Sequence, residues 1–438
     1  MSAAPDLKQV LEEIKALAPA DRAPVTAGTL ARLRVLAREL VLAHPGAAGE
    51  YHRFLAVSRR TLRVPRARLR ELVADRTVLV TGACGRVGAA LMAELAALAP
   101  ARVLSLDRSP VPPVPWAEHH VVDVCDGDGV ARVVHGARPH LVFHLAARHA
   151  PAPAHACDPV TTILGTRHVV ESAVSARAGM LVLGSDEHAL LPYARDTLAA
   201  SERIAELIVA DAATRGLLPT AIARSAHVVE GSAPVARFQR SCRDGAVLWL
   251  PLPAVPFHVQ SVRETARLLL VAALGARDDG TGLHAVRSLP RPVTAFDLAV
   301  GVMAEEGVTA VRVAEDTGDG QRCPDLSGQM GTADRSAVLN AFESPLAGAS
   351  ASPDADVVPV RFRLPEVVHR QFDRVARQDA ADVLDTVDAL ARTLLEGMLV
   401  QSPRPLVRRV ATLTWPKRAA MTATDRMVDD RVRWWAER

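Results

Sequence analysis

Lysine is almost missing from this chain of 438 residues. Lys8, Lys15 and Lys417 are the only three, and arginine supplies every other cation. Chemistry that needs an ε-amino group is therefore excluded between residues 15 and 417. Arginine cannot stand in as a proton donor, because its pKa is too high. Cysteine is also sparse: Cys84, Cys125, Cys157, Cys242 and Cys323 are scattered without a CxxC pair. This argues against a zinc site or a disulfide framework, so no metal is expected, and it fits a reducing compartment. Long hydrophobic runs are absent too. The most apolar stretch, residues 246–257, is a dozen residues with three prolines, too short for a membrane span. The first residues, MSAAPDLKQVLEEIK, lack the apolar centre of a signal peptide. A cytoplasmic protein with no membrane partner is expected. The net charge of +3 gives no electrostatic case for nucleic acid as a partner.

What is present is an ordinary globular composition, 49% hydrophobic and 23% charged, with length for two or three domains. Residues 7–17 and 27–43 carry apolar positions at helical spacing, so residues 1–72 read as a helical leader. Its last part, Tyr51 to Arg70, is arginine-rich and reads as a solvated face or as an anion- or partner-binding patch. The pattern then changes. Short β-branched runs at 77–80, 102–106, 119–122, 140–143, 181–183 and 220–223 alternate with helical stretches, which predicts a parallel sheet covered on both faces. Residues 324–358 are rich in small and polar residues and read as a loop or linker, with the linker proper at 326–358. A helical extension is expected over 359–438, ending in Trp415, Trp434 and Trp435 among arginines.

Thr81-Gly82-Ala83-Cys84-Gly85-Arg86-Val87-Gly88 follows the first strand and opens a helix. Glycines in a TGxxGxxG loop allow a tight turn and let backbone N–H groups approach a pyrophosphate, at the positive end of the following helix. Asp107 closes the second strand, where a carboxylate can bind a ribose hydroxyl. Its charge favours NAD, whereas Arg108 beside it could hold the 2′-phosphate of NADP, so NAD or NADP is left open. Asp123 and Val124 are placed to face an adenine, and Leu145, Ala146 and Ala147 follow the fourth strand at the same cleft.

At these residues the chain resembles the extended short-chain dehydrogenase/reductase superfamily. The likeness is to its polysaccharide-biosynthesis type of UDP-N-acetylhexosamine 4,6-dehydratases and 5-epimerases, and it covers about residues 73–325. It rests on LVADRTVLVTGACGRVGAAL, VFHLAARHAP, DPVTTILGTRHVVESA, ARSAHVVEGS and a worn glycine-rich motif at Thr317–Arg322. The resemblance implies a Rossmann-like doubly wound domain over 73–325, with a substrate-side subdomain at about 225–325. It further implies bound NAD or NADP, a nucleotide-sugar or related small molecule as partner, and self-association through helices of that domain.

The catalytic motifs depart from the family. Its Ser/Thr-Asp-Lys run aligns with Ser185-Asp186-Glu187, so glutamate replaces lysine. In the next helix, Leu198 and Glu202 occupy the positions of its methionine or tyrosine and its lysine. Tyr193 is followed four residues on by Thr197, which leaves no YxxxK pair. Glutamate cannot lower the pKa of a neighbouring base as lysine does. Two readings stay open. In one, Ser185, Asp186, Glu187, Tyr193 and Glu202 form a rearranged active site, with the carboxyls sharing a raised pKa and Arg148 and His149 nearby. In the other, Asp186 and Glu187 are solvated loop residues, and the protein binds a dinucleotide or nucleotide-sugar without turnover, in a structural, sensing or interaction role.

Overall fold

The computed structural model describes residues 5–19, 25–147, 159–190, 193, 197–252, 256–276, 280–314, 336–375, 380–414 and 423–438. Four helices come first: α1 (Leu7–Leu17), α2 (Ala27–Ala43), α3 (Ala47–Ala56) and, after a 3-10 turn at Val57–Arg59, α4 (Arg66–Val73). There follow β1 (Thr77–Thr81), α5 (Arg86–Ala96), β2 (Arg102–Asp107), β3 (Glu118–Val121), α6 (Gly127–Ala137), β4 (Leu141–His144), α7 (Pro159–Ser175), β5 (Met180–Asp186), α8 (Thr197–Thr214) and β6 (Thr220–Ser225). The next stretch holds β7 (His227–Val228), α9 (Ala233–Asp244), β8 (Leu248–Pro251), β9 (Pro256–Phe257), β10 (Val259–Gln260), α10 (Val262–Ala273), β11 (Thr281–Val286), β12 (Val293–Thr294), α11 (Ala295–Glu306) and β13 (Val311–Ala314). The chain ends with β14 (Gly348–Ala349), β15 (Ala355–Val360), α12 (Glu366–Val375), α13 (Ala380–Gln401), α14 (Arg404–Thr414) and α15 (Ala423–Glu437).

The main sheet has the order β14-β15-β11-β6-β5-β4-β1-β2-β3. Its strands from β11 to β3 pair in parallel, as expected for apolar runs linked by helical crossovers. The sequence moves outward from β1 to β2 and β3 on one side, and to β4, β5 and β6 on the other. The crevice beside β1 and β4 is the topological switch point, where open α/β sheets bind ligands. One face of the sheet is covered by α4, α5 and α10 through Leu69, Leu91, Leu95 and Leu268. The other is covered by α6, α7 and α8, over which α12 and α13 lie. Helix α8 is consequently buried from Ala199 to Ala213.

The leader does not stand apart. Val10, Ile14, Leu33, Leu36, Leu40 and Phe54 share one core with Val235, Phe238, Leu250, Leu298 and Val313, so α1 to α3 form one lobe together with α9, β8, α11 and β13, which lie in the stretch expected as the substrate-side subdomain. Arg59, Arg63, Arg66, Arg68 and Arg70 are exposed, as a solvated face would be, and two of the leader's arginines also make structural bonds. Arg60 Nε binds Glu264 Oε1 at 3.0 Å, and Arg63 binds Asp354 through its backbone N–H and guanidinium.

The expected linker at 326–358 is corrected where the structure describes it. From residue 336 the chain is packed, and β15 joins the sheet antiparallel to β11, pairing Thr281 with Val360 through Val286 with Ala355. Hydrogen bonding to β11 and burial of Val358 outweigh the polar composition. Pro359 is tolerated because β14 covers only Val357 and Asp356 on the outer side.

This returning segment is fastened by charge. Arg224, at the end of β6 and fully buried, donates Nε and Nη2 to the two oxygens of Glu206 on α8 at 2.9 and 2.7 Å. It also binds Glu343, with Nη1 at 2.6 Å and Nη2 at 2.9 Å, and the Val338 carbonyl at 3.0 Å. Arg203 completes the set, its Nη1 lying 2.8 Å from Glu206 and 3.2 Å from Glu343. Burial raises the cost of ionising Glu343, but Arg224 outweighs it and holds the carboxyl below its usual range. Removing one partner leaves buried charge uncompensated. Arg224→Met is accordingly expected to lower unfolding free energy in urea by about 3–5 kcal/mol. A loss under about 1 kcal/mol, the scale of a surface pair, would show that the cluster does not hold the segment.

Candidate active site

The glycine loop after β1 is tight because two of its glycines have no room for a side chain. Gly82 has φ +68°, and a Cβ there would lie 2.6 Å from the Leu145 carbonyl carbon. A Cβ on Gly88 would lie 2.3 Å from the Gly82 oxygen. The loop therefore sits against the end of β4, and α5 starts directly beneath it. Gly85 caps α5 without a side-chain hydrogen bond, so the first-turn N–H groups at Arg86, Val87 and Gly88 lack an intrahelical acceptor or cap. A phosphate fits this arrangement. Asp107 sits at the loop's edge, accepting from Cys84 N and Ser109 N, each at 3.0 Å. Arg108 turns to Asp123, 3.8 Å away, and Asp123 also accepts from Cys125 N at 2.9 Å. Val124 is buried and would clash at 2.6 Å with a Cβ on Gly165, so α7 runs close beside it. The residues expected to hold the cofactor, from Thr81 to Ala147, stand at or just after the C-terminal ends of β1 to β4. Arg148, His149 and Thr317–Arg322 lie outside the described residues.

His144, which the sequence reading passed over, locks this crevice from below. Thr166 donates to the Thr162 carbonyl at 2.6 Å, so His144 Nε2 donates to Thr166 Oγ1 at 3.0 Å. Nδ1 is then the acceptor for the Thr81 hydroxyl at 2.7 Å. Thr81 Oγ1 in turn accepts from the N–H of Leu145 at 3.3 Å and of Ala146 at 3.4 Å. Burial holds the imidazole neutral, with its pKa pushed down to about 4.

Ser185 and Asp186 stand at the end of β5, and Glu187 opens the 3-10 turn that follows. Ser185 Oγ donates to Glu206 Oε1 at 2.7 Å, which commits it to the structural charge cluster. Asp186 Oδ1 accepts from His188 N and faces His188 Nδ1, both at 2.9 Å. Glu187 is 95% buried, contrary to a solvated loop residue, and Glu202 on α8 is 97% buried. Each has one carboxyl oxygen with no hydrogen-bond partner among the described residues. His227 Nδ1 lies 3.9 Å from Glu187 Oε1, while its Nε2 is 2.9 Å from Ser232 Oγ.

The electrostatics of this group follow from desolvation and one anion. Burial, then the Asp186 charge, pushes Glu187 up to about 8. The same two causes raise Glu202 well above the ordinary carboxylic range. For His188 burial opposes the charged form, but Asp186 and the neighbouring glutamates outweigh it and raise the pKa to about 10. Near neutral pH the cluster is an Asp186–imidazolium pair flanked by two largely protonated carboxylic acids.

Tyr193 is not part of it. Its hydroxyl donates to Asp388 on α13, and Arg392 lies over its ring at 5.7 Å. The structure therefore brings together Asp186, Glu187 and Glu202, adds His188 and His227, and diverts Ser185 and Tyr193 to structural bonds. Arg224, in the ARSAHVVEGS segment, is likewise committed to structural bonds. Asp186, Glu187 and His188 are adjacent in sequence, so this one addition had a readable signal. Among the described residues no cluster of three or more His, Cys, Asp or Glu side chains could hold a metal. No helix among them is long and apolar enough to cross a membrane.

Residues 78–228, from β1 through β7, match the family described as NAD dependent epimerase/dehydratase. The chain carries a domain of that family. Two relatives are the probable polysaccharide biosynthesis protein EpsC of Bacillus subtilis, 25% identical over 258 residues, and the capsular polysaccharide biosynthesis protein CapD of Staphylococcus aureus, 26% identical over 263. The matches cover 55% and 54% of this chain and 42% of each relative, so the chain spans less than half their length. Among solved structures, Pen from Bacillus thuringiensis is similar in fold, with a TM-score of 0.54 at 17% identity over 67% of this chain and 89% of that one. The match ends at the strand carrying His227, with α1 to α4 before it and α9 to α15 beyond it.

The raised Glu187 pKa has a direct stability consequence. Between about 4.5 and 8 the folded chain binds more protons at this group than the unfolded chain does. Its contribution is present below 4.5 and is lost as pH rises through 8. His144 and His284, both pushed down to about 4 by burial, act oppositely and only in acid. In paired melting curves, Glu187→Gln should gain on the parent protein steadily from pH 5 to pH 8. A constant difference across that range would mean that Glu187 titrates normally.

Proposed function

We propose that the protein is an NAD(P)-dependent oxidoreductase or dehydratase acting on a nucleotide-sugar, in which a buried carboxyl–imidazole cluster does the acid–base work of the missing lysine. The observation that carries this reading is Glu187, a 95% buried carboxyl with an unpartnered oxygen and a pKa near 8. General acids and bases work best with a pKa close to the working pH, and a carboxyl shifted by burial and a specific charge partner is a functional-site candidate. The names of the relatives, both polysaccharide biosynthesis proteins, support a sugar substrate.

The cradle fits a dinucleotide. The uncapped first turn of α5 would take the pyrophosphate and Asp107 a ribose hydroxyl. With Arg108 drawn toward Asp123, the Asp107 charge favours NAD over NADP. A bound nicotinamide supplies a hydride acceptor. The chain's own residues then handle the proton. Glu187 near pH 8 is divided between acid and carboxylate, and its carboxylate is a stronger base than an ordinary one. It can take a proton from a sugar hydroxyl and return it. The Asp186–His188 pair fixes the charge beside it, and His227 links it to Ser232.

One observation favours a second reading, binding without turnover. Tyr193 is committed to Asp388, and no lysine lies between residues 15 and 417. The protein purified without added nucleotide, denatured and analysed by mass spectrometry, is expected to release NAD(H) or NADP(H) near one per chain. An empty protein that also fails to bind added NAD(P) defeats both readings. With a UDP-N-acetylhexosamine as substrate, Glu187→Gln should lower turnover about 10²–10⁴-fold at unchanged cofactor content. Retained cofactor with no conversion by the parent protein, and conversion gained on Glu202→Lys, would establish the second reading instead.

A further inference from the structure

The turn that carries Glu187 and His188 is held from outside its own segment. Glu187–Leu190 is a single 3-10 turn after β5, and so short a piece fixes few of its own backbone bonds. Its last carbonyl is caught by a distant side chain. Asn340, which has no exposed surface, donates Nδ2 to the Leu190 carbonyl at 2.9 Å. The other end of the amide settles its orientation, because Oδ1 accepts the N–H groups of Phe342 at 2.9 Å and Glu343 at 3.1 Å. Only the amide nitrogen is left to face Leu190. Ala189 and Leu190 are themselves fully buried, so the carbonyl meets no solvent while the turn stays in place.

Asn340 is in turn tied to the ionic cluster. Its backbone N–H donates to Glu343 Oε2 at 3.1 Å, the oxygen that also receives Arg224 Nη1 at 2.6 Å. Arg224 Nη1 binds the Val338 carbonyl as well, at 3.0 Å, two residues before Asn340. A chain of bonds thus runs from a buried guanidinium through Glu343 and Asn340 to the end of the turn. On its other side the turn packs on α8, the helix of Glu202. Leu190 and Tyr193 are each held by the part of the chain that follows residue 335, Leu190 by Asn340 and Tyr193 by Asp388. The groups that face Glu187 are Asp186 and His188 beside it, Glu202 with Glu206 on α8, and His227 of β7. Glu343, from the returning segment, is paired with Arg203 and Arg224.

We infer that Asn340 is a positioning residue for the acid–base cluster: by holding the Leu190 carbonyl it keeps the turn closed on α8 and keeps water away from Glu187. Asn340 carries no charge and is not among the groups whose charge or hydrogen bond acts on Glu187. It acts by place. A shorter side chain at 340 leaves a buried carbonyl without a partner, and the turn must open for water to satisfy it. Opening returns solvent to Glu187, and burial is the first cause of that group's raised proton affinity. The inference rests on the functional reading above only in giving the cluster acid–base work. The seating of the turn does not depend on it.

The test is a double-mutant cycle read by melting curves of the full chain between pH 5 and pH 8. Asn340→Ser keeps an oxygen for the Phe342 and Glu343 N–H groups but is too short to reach Leu190. Asn340→Thr does the same while filling more of the space, and either variant alone carries the test if the other does not fold. The control is Val358→Ala in β15, which weakens the same returning segment by trimming a buried side chain and leaves the Leu190 bond in place. In the parent background Glu187→Gln gains as pH rises, because the raised carboxyl loses its contribution toward pH 8. In the Asn340 backgrounds that pH-dependent gain should fall to less than half, and in Val358→Ala it should remain whole. An undiminished gain in the Asn340 variants, or an equal reduction in Val358→Ala, overturns the inference, as does a parent background with no such gain. If the gain depends on Asn340 while Glu187→Gln leaves sugar turnover unchanged, the positioning stands and the acid–base reading falls. Loss of turnover in Glu187→Gln with a gain indifferent to Asn340 has the reverse meaning.

Discussion

Arg224 brings a permanent positive charge to a position with no exposed surface, and much of the architecture answers that charge. Glu206 meets it from α8 and Glu343 from the segment that returns after β13. Those two carboxylates would repel each other without a second cation, which Arg203 supplies. A buried ion pair is weak evidence for stability, since desolvation offsets much of the attraction. What this one provides is placement. It fixes where α8 lies on the sheet, and with it Glu202 and the oxygen that holds Ser185. It also fixes where residues 336–346 must sit for β15 to reach β11.

Two networks of opposite character meet at the ends of β4, β5 and β6. Around Arg224 every positive group has a carboxylate, although Arg203 Nε is left without a partner among the described residues. Around Glu187 the carboxyls outnumber the cations, and two oxygens are left without a partner among the described residues. In a low-dielectric setting the first arrangement is rigid and the second is protonated, because a proton is the cheapest way to neutralise a buried carboxylate. His144 belongs to neither. It is a neutral spacer whose two nitrogens join β1 to α7, and it keeps the crevice floor uncharged.

The parts legible in the sequence are those written by local rules. Thr77 to Gly88 is a strand, a turn requiring small residues and a helix start, all within a dozen positions, and Asp107 follows from the next strand's end. The strand series was readable because buried parallel strands are short apolar runs. Element ends differ by one to three residues, as at β3 and β5. Arg224 with Glu343 was not legible, because 119 residues separate them and no periodicity connects them. Nor was β15, whose Asp356 and Pro359 disguise a strand that is satisfied by its neighbour. The Asp186-Glu187 pair could be read, but its burial could not: that depends on α8 and the 3-10 turn closing over it. Likewise Tyr193 lay where a catalytic tyrosine would be sought, and only α13, about two hundred residues later, settles its role.

The core that the leader shares with a later segment has a consequence during synthesis. The apolar faces of α1 and α2 find their partners in a segment that ends at Val313, roughly 270 residues after α2 leaves the ribosome. At about 5–20 residues per second this is roughly 14–55 s. For that time Ile14, Leu33, Leu36 and Leu40 have only each other and α3, and lack the partners that the later segment supplies. Helices α1 and α2 are thus made well before the segment that completes their burial, and they must be kept from aggregating until it exists.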